Sequence, residues 1–376
     1  MSTQHGAIDI KPIGEVAYFL KSLIPVNIPD NYAIKPMFEE IANEENIRSG
    51  VVAFRDFLYL LFDRLITDGH LYAKPQKKTS GMADYPFLHN LTNMLVDIGY
   101  HGILSENGQS LSITNLPLCT TSVDKNGRKT KPKIAVSSQA MCLRFLTLCG
   151  FDFNGIDIDA TKLNITDSQM YEVSYPDNPA LLTGLKVMSI ADMELRVGRR
   201  YWGDNNLLRC DYRLLKAEDS DMLDVLKDFL HPLPEDLQKF AANLHQRYTD
   251  MGLTCVMTIL GDVSFAYAYI RSGQKALSPR EIYQRRIWAF SYSIKSGYCL
   301  FVRPKKTDKY MDIIEKFPLY LQEKISEGYG CYRKFGRERC QVDCQGICVP
   351  LDDSILSIAN DIETWLDNEM PSALRK

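Results

Sequence analysis

Cys331, Cys340, Cys344 and Cys348 place four of the chain's ten cysteines within eighteen residues. Thiolates are soft anionic ligands that bind zinc tetrahedrally, and one loop can gather four of them when their spacing is short. Here eight, three and three residues separate them. The Cys-x-x-Cys pairing usual in structural zinc sites is therefore missing, and a Cys-x-x-x-Cys-x-x-Cys iron–sulfur spacing also fails. Two readings stay open: a structural zinc on the four thiols, or a loop of reduced cysteines.

Charge provides the second signal. Between Arg280 and Lys309 eight lysines and arginines face only Glu281 and Asp308, inside a chain of net charge −3. Arg285, Arg286, Lys295, Arg303, Lys305 and Lys306 are the candidates for contact with a ligand or a phosphate. Tyr283, Trp288, Phe290, Tyr292, Tyr298 and Phe301 interleave with them. Exposed rings beside cations can stack bases and hold phosphates, which would make this stretch a nucleic-acid surface. The competing reading makes the rings a buried core and the cations solvated strand ends.

Motifs of common enzymes are absent. No Gly-x-Gly-x-x-Gly, Walker loop, Gly-x-Ser-x-Gly or His-Glu-x-x-His occurs, and the six histidines are scattered. Glu218, Asp219, Asp221 and Asp224 stand at a helix start, where the helix dipole accounts for them. The residues do not point to an enzyme.

The elements that must position these groups follow from periodicity. At 376 residues the chain suits two or three domains, and its 45 % apolar and 24 % charged composition is that of a folded globular protein. The opening MSTQHGAIDI has no basic and apolar leader pattern, and the most apolar window, 253–270, is broken by Gly261 and Asp262. These features predict a cytoplasmic protein with reduced thiols and no membrane contact.

Three segments are expected. Residues 1–120 read as helix, helix, helix and hairpin, a winged-helix-like order: a helix over 52–66 stopped by Asp68-Gly69, another over 86–98 ended by Gly99, and a type I′ turn at Asn107-Gly108. Residues 134–230 form a second related unit. Its helix runs from Ser137 to Cys149, and Leu163-Asn164-Ile165-Thr166 echoes Leu111-Ser112-Ile113-Thr114. A helix after Asn178-Pro179 and a strand over 207–215 complete it. After the prolines of His231-Pro232-Leu233-Pro234 comes an antiparallel-sheet domain, 235–376, with a cysteine-rich tail. In it Val263, Phe265, Tyr267 and Tyr269 alternate with small residues, as do Trp288, Phe290, Tyr292 and Ile294. The fold class is α+β.

The run Phe317-Pro318-Leu319-Tyr320-Leu321-Gln322-Glu323-Lys324-Ile325, followed by Gly328-Tyr329-Gly330-Cys331 and the Cys340–Cys344 loop, resembles the end of uncharacterised bacterial proteins. The helix–strands–helix order over 235–350 is similar to the frataxin-like fold of iron-chaperone-like proteins. The resemblance implies a small α+β domain and no binding residue, because iron handling in those relatives uses acidic surfaces and this segment is basic.

The expected function is binding or regulation through protein or small-ligand contacts, with zinc as an accompanying structural metal. Nucleic-acid binding through the basic aromatic segment is the alternative, and an enzyme of unknown class the third. Recognition by a DNA groove-reading helix is disfavoured, since residues 86–99 hold no lysine or arginine and 137–149 only Arg144. Metal analysis of protein purified without chelator tests the cysteine reading: a zinc site requires one zinc per chain, and a stoichiometry well below one removes it.

Overall fold

Glycines govern how the longest helices meet. The computed structural model describes residues 13–72, 86–114, 125–128, 136–159, 163, 170–195, 207–259, 263–271, 273, 277–293, 296–304, 307–327 and 346–374. These fall in two compact units, 1–220 and 221–376. With thirteen α-helices and two antiparallel sheets among the described residues, the chain is an α+β protein.

The first unit contains α1 (Ile13–Ser22), α2 (Pro36–Glu39), α3 (Glu44–Tyr72), α4 (Pro86–His101), β1 (Ile103–Leu104), β2 (Ser110–Ile113), α5 (Val136–Leu148), β3 (Asp152–Asn154), β4 (Tyr171–Ser174) and α6 (Ala180–Glu194). In α3, Phe54, Phe57, Leu58, Leu61, Phe62 and Leu65 form the apolar stripe that the sequence predicts, and all are buried. Asp68-Gly69 does not stop this helix. Gly69 lies inside it under Ile13, where an added β-carbon would sit 2.8 Å from the Ile13 Cγ2 atom. Gly99 likewise lies within α4 rather than ending it, because a β-carbon there would meet the Leu185 carbonyl and Ser189 of α6. These glycines serve close helix approach, not termination.

The tightest crossing joins α3 and α6. A β-carbon on Gly50 would stand 2.7 Å from the Gly184 nitrogen, and one on Gly184 would overlap the Gly50 carbonyl oxygen. With backbones this close, α6 is enclosed along almost its whole length, from Leu181 to Asp192.

The small sheet runs β1-β2-β4-β3, entirely antiparallel. Its central register places Leu111 opposite Val173 and Ile113 opposite Tyr171, all buried. This corrects the expected boundary between 1–120 and 134–230, since β2 and β4 come from the two sides of it and hydrogen-bond to each other. The order helix, strand, strand does occur twice, in α4-β1-β2 and α5-β3-β4. Of the echo at Leu163–Thr166, all but Leu163 lies outside the described residues; the paired strand is Tyr171–Ser174. The β1–β2 turn is a wider loop than type I′. Only Gly108 in it has positive φ, at 70°, while the Asn107 side chain accepts from the Gln109 N–H at 3.1 Å. Residues 207–215 are not a strand either. They are turns and a short 3-10 segment over Tyr212–Leu214, fastened to residues 33–35 by backbone bonds such as Lys35 N–H to Leu215 O at 2.8 Å.

The second unit contains α7 (Met222–Leu230), α8 (Glu235–Asp250), β5 (Thr254–Ile259), β6 (Val263–Ala268), α9 (Pro279–Arg285), β7 (Trp288–Ser293), β8 (Gly297–Val302), α10 (Met311–Ile314), α11 (Leu319–Glu327), β9 (Ile347–Pro350), α12 (Asp353–Ser357) and α13 (Ala359–Glu369). Asp221 caps α7 by accepting from the Leu223 N–H at 2.9 Å. The two prolines that suggested a boundary at 230–235 sit in a turn inside this unit, because Phe229 of α7 packs on Phe265 and Tyr298 of the sheet. The sheet order β5-β6-β7-β8-β9 is a continuous antiparallel meander. The strand β9, which carries Cys348, had no sequence signal and was expected to be loop.

Replacing Gly184 by alanine should destabilise the first unit by about 3 kcal/mol, because overpacking against backbone outweighs the roughly 1 kcal/mol that alanine gains in helix propensity. Chemical denaturation checks this; an unchanged or raised midpoint would refute the close crossing.

Candidate functional site

The basic aromatic segment builds a packed structure rather than an open platform. Ser278 and Glu281 form a reciprocal capping box that starts α9. At its far end Arg286 is buried, with its guanidinium 3.6 Å from the Tyr283 ring centre and 4.3 Å from that of Phe301. Its Nη1 donates to the Tyr283 carbonyl at 2.6 Å. Arg303 donates to the Gln284 carbonyl at 2.6 Å, and Arg285 is exposed. Lys295, Lys305 and Lys306 lie outside the described residues.

Rings of the sheet point inward. Phe265, Tyr267, Trp288 and Phe290 have no exposed surface. Tyr292 and Tyr298 stack in parallel with centres 4.1 Å apart, and the Tyr298 hydroxyl donates to the Phe229 carbonyl. The small-residue face is enclosed as well. Ser264, Ala266, Ala289 and Ser291 are buried there, and the two serine hydroxyls bond at 2.7 Å.

Of the four clustered cysteines, Cys331, Cys340 and Cys344 lie outside the described residues. Cys348 is exposed on β9, opposite Phe301 in the register. Among the described residues no group of three or more histidine, cysteine, aspartate or glutamate side chains could hold a metal ion. No helix among them is long and apolar enough to cross a membrane.

The structure instead assembles a polar chain that no local motif announced. His245 on α8 is buried, and its Nδ1 lies 2.7 Å from the Tyr267 hydroxyl on β6. Tyr267 stands opposite Cys255 of β5 in the register, close enough for the phenol and the thiol to influence each other's ionisation. Neutral groups satisfy the His245–Tyr267 bond when the Tyr267 hydroxyl donates to an unprotonated His245 Nδ1. Burial enforces that state: it lowers the His245 pKa, pushes the Cys255 thiol up to about 12 and raises Tyr267 well above its ordinary value. Such a chain holds or passes a proton but disfavours the nucleophilic thiolate.

Around it Tyr267 stacks on Trp288 with centres 3.7 Å apart and planes 12° apart. Trp288 meets Tyr248 edge-on, and the Tyr248 hydroxyl donates to Asp367 on α13 at 2.9 Å. Arg247 pairs with Glu363 and Asp367, tying α8 to α13. The three residues of the chain are ten or more positions apart in sequence. The only available signal was the hairpin register that sets Cys255 opposite Tyr267.

A second buried polar centre lies in the first unit. Burial raises the Asp211 pKa, but Arg213 at 2.7 Å and Arg209 at 3.3 Å more than offset that and hold its carboxyl below the usual range. Between them Cys210 adopts φ 48°, and its thiol faces the Val51 carbonyl of α3 at 3.7 Å. The rings of Tyr32 and Tyr212 meet at a tilt of 52°, their centres 5.4 Å apart. Burial pushes the Cys210 thiol far up, so this centre fastens the 207–217 segment to α3 rather than presenting a reactive sulfur.

Comparison with protein-family models, with curated proteins and with solved structures finds no match. The geometry of the chain's own residues is therefore what bears on function.

A pH dependence follows from His245. Its folded pKa lies below the unfolded value of about 6.5, so the unfolded state binds the proton first. Stability of the second unit is therefore full above about pH 6.5 and falls as pH drops toward the folded value, by at most about 1.4 kcal/mol per pH unit for one proton. Urea midpoints followed by tryptophan fluorescence should show this slope in the wild type, and His245→Gln should flatten it. An equal slope in the variant would mean that the imidazole is not held neutral.

Proposed function

We propose that the chain is a cytoplasmic binding or regulatory protein that acts through contacts with protein partners or small ligands. The observation that carries this reading is the enclosure of the second unit's rings. Phe265, Tyr267, Trp288 and Phe290 fill the core, and Arg286 is clamped between Tyr283 and Phe301, so the parts of a base-stacking surface are used for packing.

The first unit supports the same reading. Its two helix–strand–strand arrangements are winged-helix-like in this proposal, and their helices lack the cations of a groove-reading surface. No lysine or arginine occurs in α4, and Arg144 of α5 donates its Nε to the Ile158 carbonyl at 2.7 Å. Docking to protein suits such helices better than docking to phosphates. The frataxin-like resemblance of 235–350 adds an expectation of fold for the second unit. A structural zinc in the cysteine-rich tail would stabilise that segment without altering the role.

Fluorescence anisotropy with labelled single-stranded and duplex oligonucleotides at low salt tests the proposal. The expected result is no saturable binding. Saturable binding whose affinity falls steeply as salt rises would overturn the reading in favour of a nucleic-acid surface.

A further inference from the structure

The two sheets have four edges, and three of them are blunted. In the first unit, β1 offers two residues and β3 three, the latter with Asp152 and Asn154 exposed. In the second, β9 is four residues long and ends in Pro350, which has no N–H to give. Short strands, exposed acids and prolines are the usual means of preventing edge pairing.

The remaining edge, β5, has none of these. It is six residues of Thr-Cys-Val-Met-Thr-Ile, without charge, proline or glycine. Its register with β6 runs from Thr254–Ala268 to Ile259–Val263 without a bulge, so the strand is straight enough to accept a neighbour. Among the described residues nothing pairs with its outer edge. Thr254, Cys255, Val256 and Met257 are each only half-buried, on both faces of the sheet.

We propose that β5 pairs antiparallel with β5 of a second copy of this chain, joining two five-stranded sheets into one of ten strands about a two-fold axis. The sequence of the strand argues for a second copy. It has no charge with which to select a charged partner segment, and a two-fold antiparallel pairing returns each residue to its own face. With Val256 opposite the same residue of the other copy, Thr254 stands opposite Thr258 and Cys255 opposite Met257. Valine with valine and threonine with threonine are favourable cross-strand pairs. The face that carries Tyr267 and Trp288 then continues across the axis into its own equivalent. A two-fold pairing uses up the β5 edge of both copies, so the assembly closes at two.

The inference adds to the proposed function without depending on it, since oligonucleotide binding and molecular mass are read separately. Light scattering on the full chain at micromolar concentrations should give twice the chain mass, with monomer appearing on dilution. Val256→Lys, which places a charge on the edge, should raise the dissociation constant at least tenfold while circular dichroism stays unchanged. If that variant does not fold, hydrogen exchange of the unmodified chain decides: the amides of β5 should slow with rising concentration while those of β6 do not. A monomer at all concentrations, an assembly larger than two, a dimer untouched in folded Val256→Lys, or β5 exchange independent of concentration would each overturn the proposal.

Discussion

Backbone contact between α3 and α6 sets the architecture of the first unit. Where Gly50 meets Gly184 the helices have no side chains between them, so each backbone lies against the other. On another side of α6, Gly99 brings α4 equally near to Leu185 and Ser189. A helix approached this closely by two neighbours has little surface left for water, which explains why Leu181, Leu182, Leu185, Val187 and Met188 are all buried. The small sheet extends this arrangement: its inward row of Leu111, Ile113, Tyr171 and Val173 is buried, while Glu172 on the opposite face meets water.

In the second unit several polar groups placed among rings are paired with one another, while among the described residues the indole N–H groups of Trp288 and Trp365 have no hydrogen-bond partner. Unpaired polar atoms in such surroundings cost about 1–3 kcal/mol each. His245 and Tyr267 avoid that cost by bonding to each other, and Tyr248 does so through Asp367. Tyr310 reaches the buried Glu369 carboxylate in the same way. Each pairing joins a helix to the sheet or to another helix, so the polar network also fixes which helix covers which ring.

Much of the fold was legible in the sequence because periodicity reports burial. The stripe of α3, the alternation of β6 and β7 and the helices before and after residue 150 all follow from where apolar residues recur. Glycine misled, because a glycine that ends a helix and a glycine that lets another helix approach look alike in sequence. Gly69 and Gly99 were of the second kind. Residues 207–215 misled for a related reason: their apolar residues Leu207, Leu208, Cys210, Tyr212 and Leu215 are buried as those of a strand would be, yet the positive φ of Cys210 and the charges of Arg209, Asp211 and Arg213 turn the chain on itself. Of the candidate site residues, the enclosure of Arg286 could not be read from charge, since a guanidinium held between rings has the same composition as one in water. The His245–Tyr267–Cys255 chain depends on the packing of a helix over a hairpin, which no local spacing encodes.

The tie between α8 and α13 bears on how the second unit is made. Arg247 and Tyr248 find their partners at Glu363 and Asp367, more than a hundred residues later, and β8 finds its outer neighbour only at Ile347–Pro350. Chains emerge from the ribosome in order, and contacts between distant segments form late. During synthesis the ring-lined sheet must therefore wait, with one face and one edge incomplete, until its last helix has been released. The first unit waits in the same way, since α3 meets α6 at Gly184 and residues 33–35 find their backbone partners only at 215–217.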